Sequence, residues 1–350
     1  MVKSDKISPD LQKEDVEFLN VLRPHKFDEF VGQDKIKNNL NISIISSKKR
    51  NDSLDHILFT GPPGLGKTTL AYIIAGEMNS KIISTSGPVL EKPGDIAGML
   101  TKLQTGDILF IDEIHRTPKI IEEYLYSAME DFKLDIIIDS GPGARSVSLK
   151  LEKFTLIGST TRAGLLSSPL LDRFGLRCRL NYYDKHDLKK IVTRSSDILK
   201  IHVDDDGAEI IAKRSRGTPR IANRLLKLTR DLAVVKNKGV INAAIADECL
   251  NNWEIDNKGL DDMDKKILST IIDIHNGGPV GLNSIAVSVS EEPGTIEEVY
   301  EPYLIQEGFI RRTARGREAT ELAYEHMGII KNKKLKSAAS DGQDELFKGS

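Results

Sequence analysis

Hydrophobic and polar positions follow two different periods along the first half of the chain. Apolar residues recur at helical spacing at Ile36, Leu40 and Ile44. Short, continuous apolar runs begin three other segments, at 56–69, 107–115 and 154–161. Runs of this length suit strands that are buried on both faces of a parallel sheet. Because strand and helix patterns alternate to about Leu180, this part is predicted to be a doubly wound α/β domain.

The pattern then becomes helical. Leu188, Ile191, Leu225 and Leu228 keep helical spacing without any strand signal, which predicts a small domain made only of helices. A polar linker and a compact third unit follow. The predicted domains are an N-terminal arm (1–20), an α/β domain (21–183), a helical domain (184–255), a third domain (256–330) and a disordered tail (331–350).

The first apolar run leads into a phosphate-binding loop. Residues 61–68 match G-x-x-x-x-G-K-[ST] without substitution. Glycines in such a loop let successive backbone N–H groups converge on phosphate oxygens, and the positive end of the following helix dipole adds to the anion site. Lys67 would bridge the β- and γ-phosphates, and the Thr68 hydroxyl would hold Mg²⁺. The sequence therefore predicts binding of a nucleoside triphosphate.

The second apolar run ends in two adjacent carboxylates. Asp112 at the end of the predicted strand can hold Mg²⁺ through water, and Glu113 can act as general base toward an attacking water. An acid pair after a strand is ordinary by itself. Its position one βαβ unit after the phosphate loop makes it specific, so the sequence predicts hydrolysis as well as binding.

Composition limits where the protein works and what it binds. The chain has 350 residues, is 39% hydrophobic and carries a formal net charge of −2. No apolar run reaches the length of a membrane span, and the polar N-terminus excludes a secretory signal. The two cysteines lack metal-ligand or redox spacing, which favours a reducing, cytoplasmic location. A nucleic-acid surface on this chain must be local.

The third apolar run is followed by hydroxyls and arginines. Thr161 closes the predicted strand, where it can reach a γ-phosphate or an attacking water. Arg173 lies just beyond a short helix pattern, and Arg220 follows Gly-Thr-Pro at the start of a later helix. A planar guanidinium suits contact with several phosphate oxygens. Taken singly, each arginine is better explained as a surface charge or a salt-bridge partner than as a phosphate contact.

Together these segments resemble AAA+ ATPases, and more closely the RuvB family, the Holliday-junction branch-migration ATPases of bacteria. The resemblance runs from about Leu22 to His326. It rests on five strings in order: Thr-Ser-Gly-Pro-Val-Leu-Glu-Lys (85–92), Ile-Asp-Glu-Ile-His-Arg (111–116), Arg-Gly-Thr-Pro-Arg-Ile-Ala-Asn-Arg-Leu-Leu (216–226), Gly-Gly-Pro-Val-Gly-Leu (277–282) and Glu-Pro-Tyr-Leu-Ile-Gln (301–306). It implies an AAA+ P-loop domain with a parallel sheet, a helical lid and a C-terminal winged helix.

The resemblance also implies roles for individual residues. Thr161 would be a polar sensor, Arg220 a second sensor, and Arg173 an arginine finger that reaches the nucleotide of a neighbouring subunit, so activity would need a ring, expected to be a homo-hexamer. The implied nucleotide contacts are Leu22, Arg23 and Tyr183 at the adenine, Gly61, Gly64, Gly66, Lys67, Thr68 and Thr69 at the phosphates and Mg²⁺, and Glu130, Asp131 and Phe132 nearby.

Residues 133–151 read as two strands joined by a turn, which an ATPase sheet does not need. In the RuvB family a hairpin here grips the junction-binding partner RuvA, and a RuvC-like resolvase acts in the same pathway. The alternative is a structural hairpin that closes its own sheet. An isolated hairpin is marginally stable without a partner, which favours the interaction.

The third domain reads as a winged helix. Thr295 and Glu298 have the spacing of a capping box, and a β-wing begins at Gly308. Four arginines lie around the turn of this wing, at Arg311, Arg312, Arg315 and Arg317, and they can straddle DNA phosphates without reading bases. They can equally pair with neighbouring glutamates. Relatives often carry an arginine near position 293 as a DNA contact, where this chain has Pro293.

The predicted function is an ATP-driven, hexameric translocase of double-stranded DNA that migrates Holliday junctions. A clamp-loader-like switch is the alternative, but it would not need the winged helix. A protein unfoldase would need an aromatic–apolar pore loop, and none is evident. In the tail, residues 343–347 weakly resemble a sliding-clamp-binding peptide.

Overall fold

The computed structural model describes residues 18, 20–137 and 146–330. They fall into two compact units that meet in the sequence between Gly259 and Leu260. Most of the predicted arm, the turn of the predicted hairpin, and the predicted tail with its clamp-binding peptide lie outside the described residues.

A five-stranded parallel sheet forms the centre of the first unit, which confirms the predicted α/β fold. Its strands are β1 (Ile57–Thr60), β2 (Ile82–Ser86), β3 (Ile108–Asp112), β6 (Thr155–Thr160) and β7 (Leu176–Arg179), in the order β2-β3-β6-β1-β7. Strand β6 lies between β3 and β1, so the carboxyl ends of these three strands meet at one edge. The phosphate loop, the acid pair and the hydroxyl pair are therefore brought together by the order of the strands.

The sheet is buried on both faces because alternate residues of each strand enter different cores. In β1, Ile57 and Phe59 belong to one hydrophobic cluster, whereas Leu58 belongs to another. In β3, Phe110 and Ile111 divide in the same way. Since side chains of a strand alternate between faces, this two-sided burial explains why the runs are continuously apolar.

Helices cover both faces of this sheet. They are α1 (Asp34–Arg50), α2 (Lys67–Met78), α3 (Pro93–Leu100), α4 (Lys119–Asp131) and α5 (Ser168–Asp172). The helical period predicted α1 correctly, because Leu40 and Ile44 are fully buried in the core.

The predicted hairpin has both of its strands. Strands β4 (Lys133–Ile137) and β5 (Ser146–Lys150) are antiparallel and form a separate two-stranded sheet. At its base Leu134 is fully buried in the second core cluster. The base of the hairpin is thus part of the fold, whereas Val147 further along β5 is exposed.

Four helices follow the sheet within the first unit: α6 (Lys185–Leu199), α7 (Asp205–Lys213), α8 (Pro219–Lys236) and α9 (Ala243–Asn252). Asp184, Asp204 and Asn242 cap three of them by accepting backbone N–H groups. Leu188 and Leu225 share one core cluster with Phe30 and Ile57 of the α/β part.

The prediction of no strands in this region was wrong. Strands β8 (His202–Val203) and β9 (Val240–Ile241) form a short parallel pair. Two residues are too few to produce a period, so no sequence pattern marks them.

The second unit has its own core and the order of elements expected of a winged helix. Its helices are α10 (Asp262–Ser269), α11 (Leu282–Val289), α12 (Pro293–Thr295), α13 (Glu301–Gln306) and α14 (Glu321–His326), with π-helical turns at Thr270–Ile274 and Ile296–Tyr300. The wing is the antiparallel pair β10 (Ile310–Thr313) and β11 (Gly316–Ala319). Phe309, Leu304 and Ile285 are buried in the core of this unit.

The capping box predicted at Thr295 was wrong. The helix already begins at Pro293, which occupies one of its first two positions, and the side chain of Thr295 makes no capping hydrogen bond. Proline suits this position because it has no N–H to leave unpaired and its φ is already helical.

Candidate functional site

The phosphate loop connects β1 to α2 and has a conformation that needs its glycines. Gly61, Gly64 and Gly66 all have positive φ. A Cβ on Gly61 would lie 2.6 Å from the carbonyl oxygen of Leu180, and one on Gly64 would lie 2.7 Å from the side chain of Thr218. A side chain at either position would therefore be strained and would also clash.

Lys67 at the start of α2 is held under this loop. Its Nζ donates to the carbonyl oxygens of Gly61 at 2.7 Å and Pro62 at 2.8 Å. Only 6% of the residue is exposed, and burial lowers the pKa of Lys67 to about 8, although Glu113 and Asp112 act to raise it. The ammonium group is thus largely desolvated and positioned close to the loop.

Asp112 lies at the end of β3 within reach of three hydrogen-bond donors. Its Oδ2 accepts from the Thr68 hydroxyl at 3.2 Å. Its Oδ1 accepts from the Glu113 backbone N–H at 3.1 Å and from the Ser159 hydroxyl. The Thr68 and Asp112 oxygens are hard ligands of the kind Mg²⁺ prefers, and Mg²⁺ sites commonly combine one or two carboxylates with water and phosphate. The donor set fits that ion.

Glu113 has a left-handed backbone, with φ of 47°. This conformation is uncommon for residues other than glycine. The Thr161 hydroxyl donates to Glu113 Oε2 at 3.4 Å, and His115 Nδ1 lies 3.2 Å from the same oxygen. His115 Nδ1 also contacts the Thr160 hydroxyl at 2.9 Å. The carboxylate is therefore oriented by Thr161, which follows the neighbouring strand β6, and by His115, two residues further along its own segment.

One cavity joins these groups. The α/β part and the helical part of the first unit both contribute to its walls. The residues predicted from the sequence that line this cavity are Leu22, Arg23, Gly64, Gly66, Lys67, Thr68, Thr69, Asp112, Glu113, Tyr183 and Arg220. The walls thus combine apolar side chains with phosphate-binding groups, as a nucleotide requires.

Arg220 enters the cavity from the beginning of α8. Its backbone N–H donates to the carbonyl oxygen of Gly64 at 3.4 Å. Burial lowers the pKa of its guanidinium, whereas Asp112 acts in the opposite direction. The helical part therefore contacts the phosphate loop directly.

Six residues of the predicted nucleotide site are absent from the cavity lining. Gly61 and Thr161 still bond to lining residues, Lys67 and Glu113, whereas the other four lie apart from the cavity. Arg173 forms an ion pair with Glu130, and its guanidinium lies 4.5 Å from the ring centroid of Tyr126. Asp131 ends α4, and Phe132 packs edge-to-face on Phe154. The structure does not bring these four residues to the nucleotide cavity of the same chain.

Sequence reasoning missed several residues near the cavity. Arg194 on α6 donates to the carbonyl oxygen of Leu22 at 2.9 Å and so fixes that segment. Arg194, Asn223 and Phe30 line the cavity, and Ser159 and His115 orient its acids. Ser159 was visible as a hydroxyl at a strand end, but spacing does not distinguish Arg194 from other charges on a helix.

The wing arginines are largely paired with glutamates of the same unit. Arg311 donates to Glu318, Arg312 to Glu297, and Arg317 to Glu301. The hydrogen bond to Glu297 raises the pKa of Arg312, and the negative charge of Glu301 acts in the same direction. Arg315, at the turn, is exposed and has no acidic partner among the described residues. The alternative of internal pairing thus holds for three of the four arginines.

The described residues contain no helix that is both long and apolar enough to cross a membrane. Within the same residues, His, Cys, Asp and Glu side chains form no group of three that could hold a metal ion without other ligands.

Comparison with known proteins gives a consistent family match along the chain. Three family models match: "Holliday junction DNA helicase RuvB P-loop domain" at 22–180, "RuvB AAA lid domain" at 183–256 and "RuvB C-terminal winged helix domain" at 257–328.

Similar proteins and structures agree with these models. The chain is 57% identical over 324 residues to a "Holliday junction branch migration complex subunit RuvB" of Salinibacter ruber, covering 93% of this chain and 94% of that protein. It is 57% identical over 328 residues to the protein so named in Chlorobaculum tepidum, covering 93% and 95%. A structure named as the Thermotoga maritima RuvB Holliday junction branch migration motor matches with a TM-score of 0.82 and 51% identity, covering 89% and 99%.

Proposed function

The chain belongs to the RuvB family of AAA+ ATPases, and we propose that its residues divide the work of ATP-driven branch migration of Holliday junctions as follows. The observation that carries the proposal is the single cavity in which Lys67, Asp112 and Glu113 face one another. A general base, a lysine cation and oxygen ligands for Mg²⁺ in one cleft are what hydrolysis of a bound triphosphate requires.

The phosphate loop and its lysine hold the triphosphate. Backbone N–H groups between Gly61 and Gly66 surround the phosphate oxygens, and the Lys67 ammonium exchanges its loop carbonyls for the β- and γ-phosphates. Leu22, Arg23 and Tyr183 enclose the adenine. Arg194 supports this pocket because it anchors the backbone of Leu22.

Thr68 and Asp112 would hold Mg²⁺ beside the triphosphate. The ion supplies Lewis-acid stabilisation of charge that develops on the phosphate oxygens. Ser159 and the Glu113 N–H fix the Asp112 carboxylate in position. Glu113 takes a proton from the attacking water, and Thr161 and His115 orient its carboxylate.

Arg173 acts on the nucleotide of the adjacent subunit. Arg173 is paired with Glu130 and neither residue lines the cavity of its own chain, which disfavours a finger that acts in cis. This arrangement supports a ring, which we propose is a homo-hexamer.

Arg220 senses the γ-phosphate from the helical part of the first unit. When the γ-phosphate leaves, the contact with Arg220 is lost and α8, which begins beside this residue, is released.

The remaining contacts are to DNA and to proteins. Arg311, Arg312, Arg315 and Arg317 contact phosphates of double-stranded DNA through the wing, a local positive site on a chain with a net charge of −2. The hairpin of β4 and β5 binds a RuvA-like partner, and a RuvC-like resolvase acts on the same junction. Full-length similarity to branch-migration subunits, including the winged helix, disfavours the clamp-loader alternative.

Branch migration of a synthetic four-way junction tests the proposal directly. The unaltered protein should migrate the junction with ATP and RuvA, whereas Glu113→Gln should bind ATP and lose about 10²-fold or more in turnover. Thr117→Ser, near the same strand end but outside the cavity lining, is the control. Normal turnover by Glu113→Gln would remove this residue as the base, and ATP hydrolysis without any junction movement would favour the loading switch.

A further inference from the structure

Two wing arginines lie directly opposite each other in the β-ladder. Arg312 on β10 pairs in register with Arg317 on β11, and Arg311 pairs with Glu318. Opposed residues of an antiparallel pair share a face, and like charges in this position repel. The pair of Arg311 and Glu318 is complementary, but the pair of Arg312 and Arg317 needs a counter-charge from elsewhere.

Glu301, at the start of α13, supplies that charge. Its Oε1 accepts from Arg317 Nε at 3.0 Å and lies 3.2 Å from Arg312 Nε, and its Oε2 accepts from Arg317 Nη2 at 2.8 Å. The residue is only 3% exposed. A carboxylate at this depth is tolerated because two guanidinium groups compensate its charge.

The two arginines are exposed to different degrees. The side chain of Arg312 is 50% exposed, whereas that of Arg317 is 12% exposed. A guanidinium has five N–H donors, and the contacts of Arg312 with Glu301 and Glu297 use only some of them. Arg312 therefore keeps donors that a phosphate can use while Glu301 holds its Nε side, and Arg317, whose Nε and Nη2 both donate to Glu301, keeps its other Nη1 and Nη2 hydrogens.

We propose that Glu301 is a positioning residue for DNA, a buried carboxylate that aligns Arg312 and Arg317 side by side for the phosphate backbone. This rests on the proposed contact between the wing and DNA. An exposed arginine loses rotamer freedom when it binds a phosphate. Glu301 restricts both side chains beforehand, so less freedom is lost on binding.

The opposite reading is that Glu301 competes with DNA for the arginines. The two readings predict opposite signs. Removal of a competing acid raises affinity for DNA, whereas removal of a positioning acid lowers it although the protein becomes more positive. A variant that keeps the carboxylate but moves it away from the arginines gives the same contrast: affinity for DNA rises if the acid competes and falls if the acid positions the arginines.

Two substitutions in the full-length protein separate the readings, with affinity for a fluorescein-labelled duplex measured by anisotropy over a salt series. Glu301→Gln removes the charge, and Glu301→Asp keeps the charge but withdraws the carboxylate by one methylene. Both should bind on the order of tenfold more weakly, by the cost of ordering freed arginines, and their salt slope should fall by about 1. Glu325→Gln makes the same charge change at an exposed glutamate of the second unit that is not among the acids paired with the wing arginines, and it should bind at least as tightly as the unaltered protein.

Circular dichroism melting and Arg variants complete the test. Glu301→Asp retains the buried charge, so its second unit should still fold, and wild-type DNA affinity in a folded Glu301→Asp overturns the proposal. Tighter binding by Glu301→Gln also overturns it. If Arg312→Ala and Arg315→Ala bind DNA normally, the proposed wing contact itself fails. Weak binding by those two, with normal binding by Glu301→Asp, refutes only the role of Glu301.

Discussion

Lys67 carries the charge that faces the triphosphate, and burial brings its pKa to about 8. Below this pH the free protein already has the ammonium form, whereas above it binding must take up a proton. A bound polyphosphate favours the charged form, so affinity for ATP should fall as pH rises above about 8, by up to about tenfold per pH unit. Titration of a fluorescent ATP analogue across this range measures the effect.

Lys67→Arg is the control for this pH dependence. Arginine stays charged throughout, so this variant should show no inflection near the same pH, whatever its absolute affinity. An unchanged affinity of the natural protein from neutral pH to well above 8 would contradict the prediction.

The hydroxyl of Ser159 has one identifiable task, which is to fix Asp112. Ser159→Ala should raise the Mg²⁺ concentration needed for half-maximal nucleotide binding by about 10-fold, because outer-shell partners of metal ligands typically contribute this much. Thr155→Val is a matched control, since it removes another buried hydroxyl from β6 that bonds only to the carbonyl of Leu54. If both variants shift the Mg²⁺ dependence equally, the effect comes from the strand and not from Asp112.

At the scale of elements, the hairpin offers a test with a built-in comparison. Val147 and Ser148 are adjacent on β5, so their side chains lie on opposite faces, and both are exposed. If an apolar face of the hairpin binds RuvA, Val147→Asp should weaken complex formation by about tenfold or more, whereas Ser148→Asp should change it little. Pull-down or calorimetry with RuvA measures the difference, and ATPase activity without RuvA should be unchanged in both variants.

The elements that the sequence predicted correctly are those with a repeated or strict local pattern. A continuous apolar run marks a buried strand such as β3, glycine spacing marks the phosphate loop, and helical spacing of apolar residues marks α1. The two-residue strands β8 and β9 have no such pattern. At Thr295 the capping-box spacing predicted a helix start, but the helix begins two residues earlier, at Pro293, because proline favours the first turn of a helix.

The candidate site divides in the same way. Lys67, Asp112 and Glu113 are joined to a motif or to a strand end, so their convergence follows from the parallel sheet. Arg194 reaches Leu22 across a separation of 172 residues, and Glu301 reaches Arg317 across 16. Such pairings depend on how helices and strands pack, and residue spacing in a single sequence does not encode them.

At the scale of the whole molecule, the proposed ring predicts complementation between two inactive proteins. Arg173→Ala keeps its own base, and Glu113→Gln keeps its own finger. If the finger acts on a neighbour, a mixture forms some seams at which Glu113 of one subunit meets Arg173 of the next, and DNA-stimulated ATPase should recover to about a quarter of the normal rate in an equal mixture. A steady-state phosphate-release assay on mixed and separate samples measures it.

The outcome is informative in both directions. Separate variants at the same total concentration provide the baseline. If the mixture hydrolyses ATP no faster than their average, the finger does not work between subunits and the role proposed for Arg173 is wrong.

The hydrophobic cluster shared by the sheet and the four helices behind it has a practical consequence for anyone trimming this protein. A fragment that stops at Tyr183 would leave Phe30 and Ile57 without the cover that Leu188 and Leu225 provide. Exposed apolar surface of this kind causes aggregation. A truncation at Gly259 keeps that cover intact, and it is therefore the shorter piece to choose for crystallisation or for screening inhibitors.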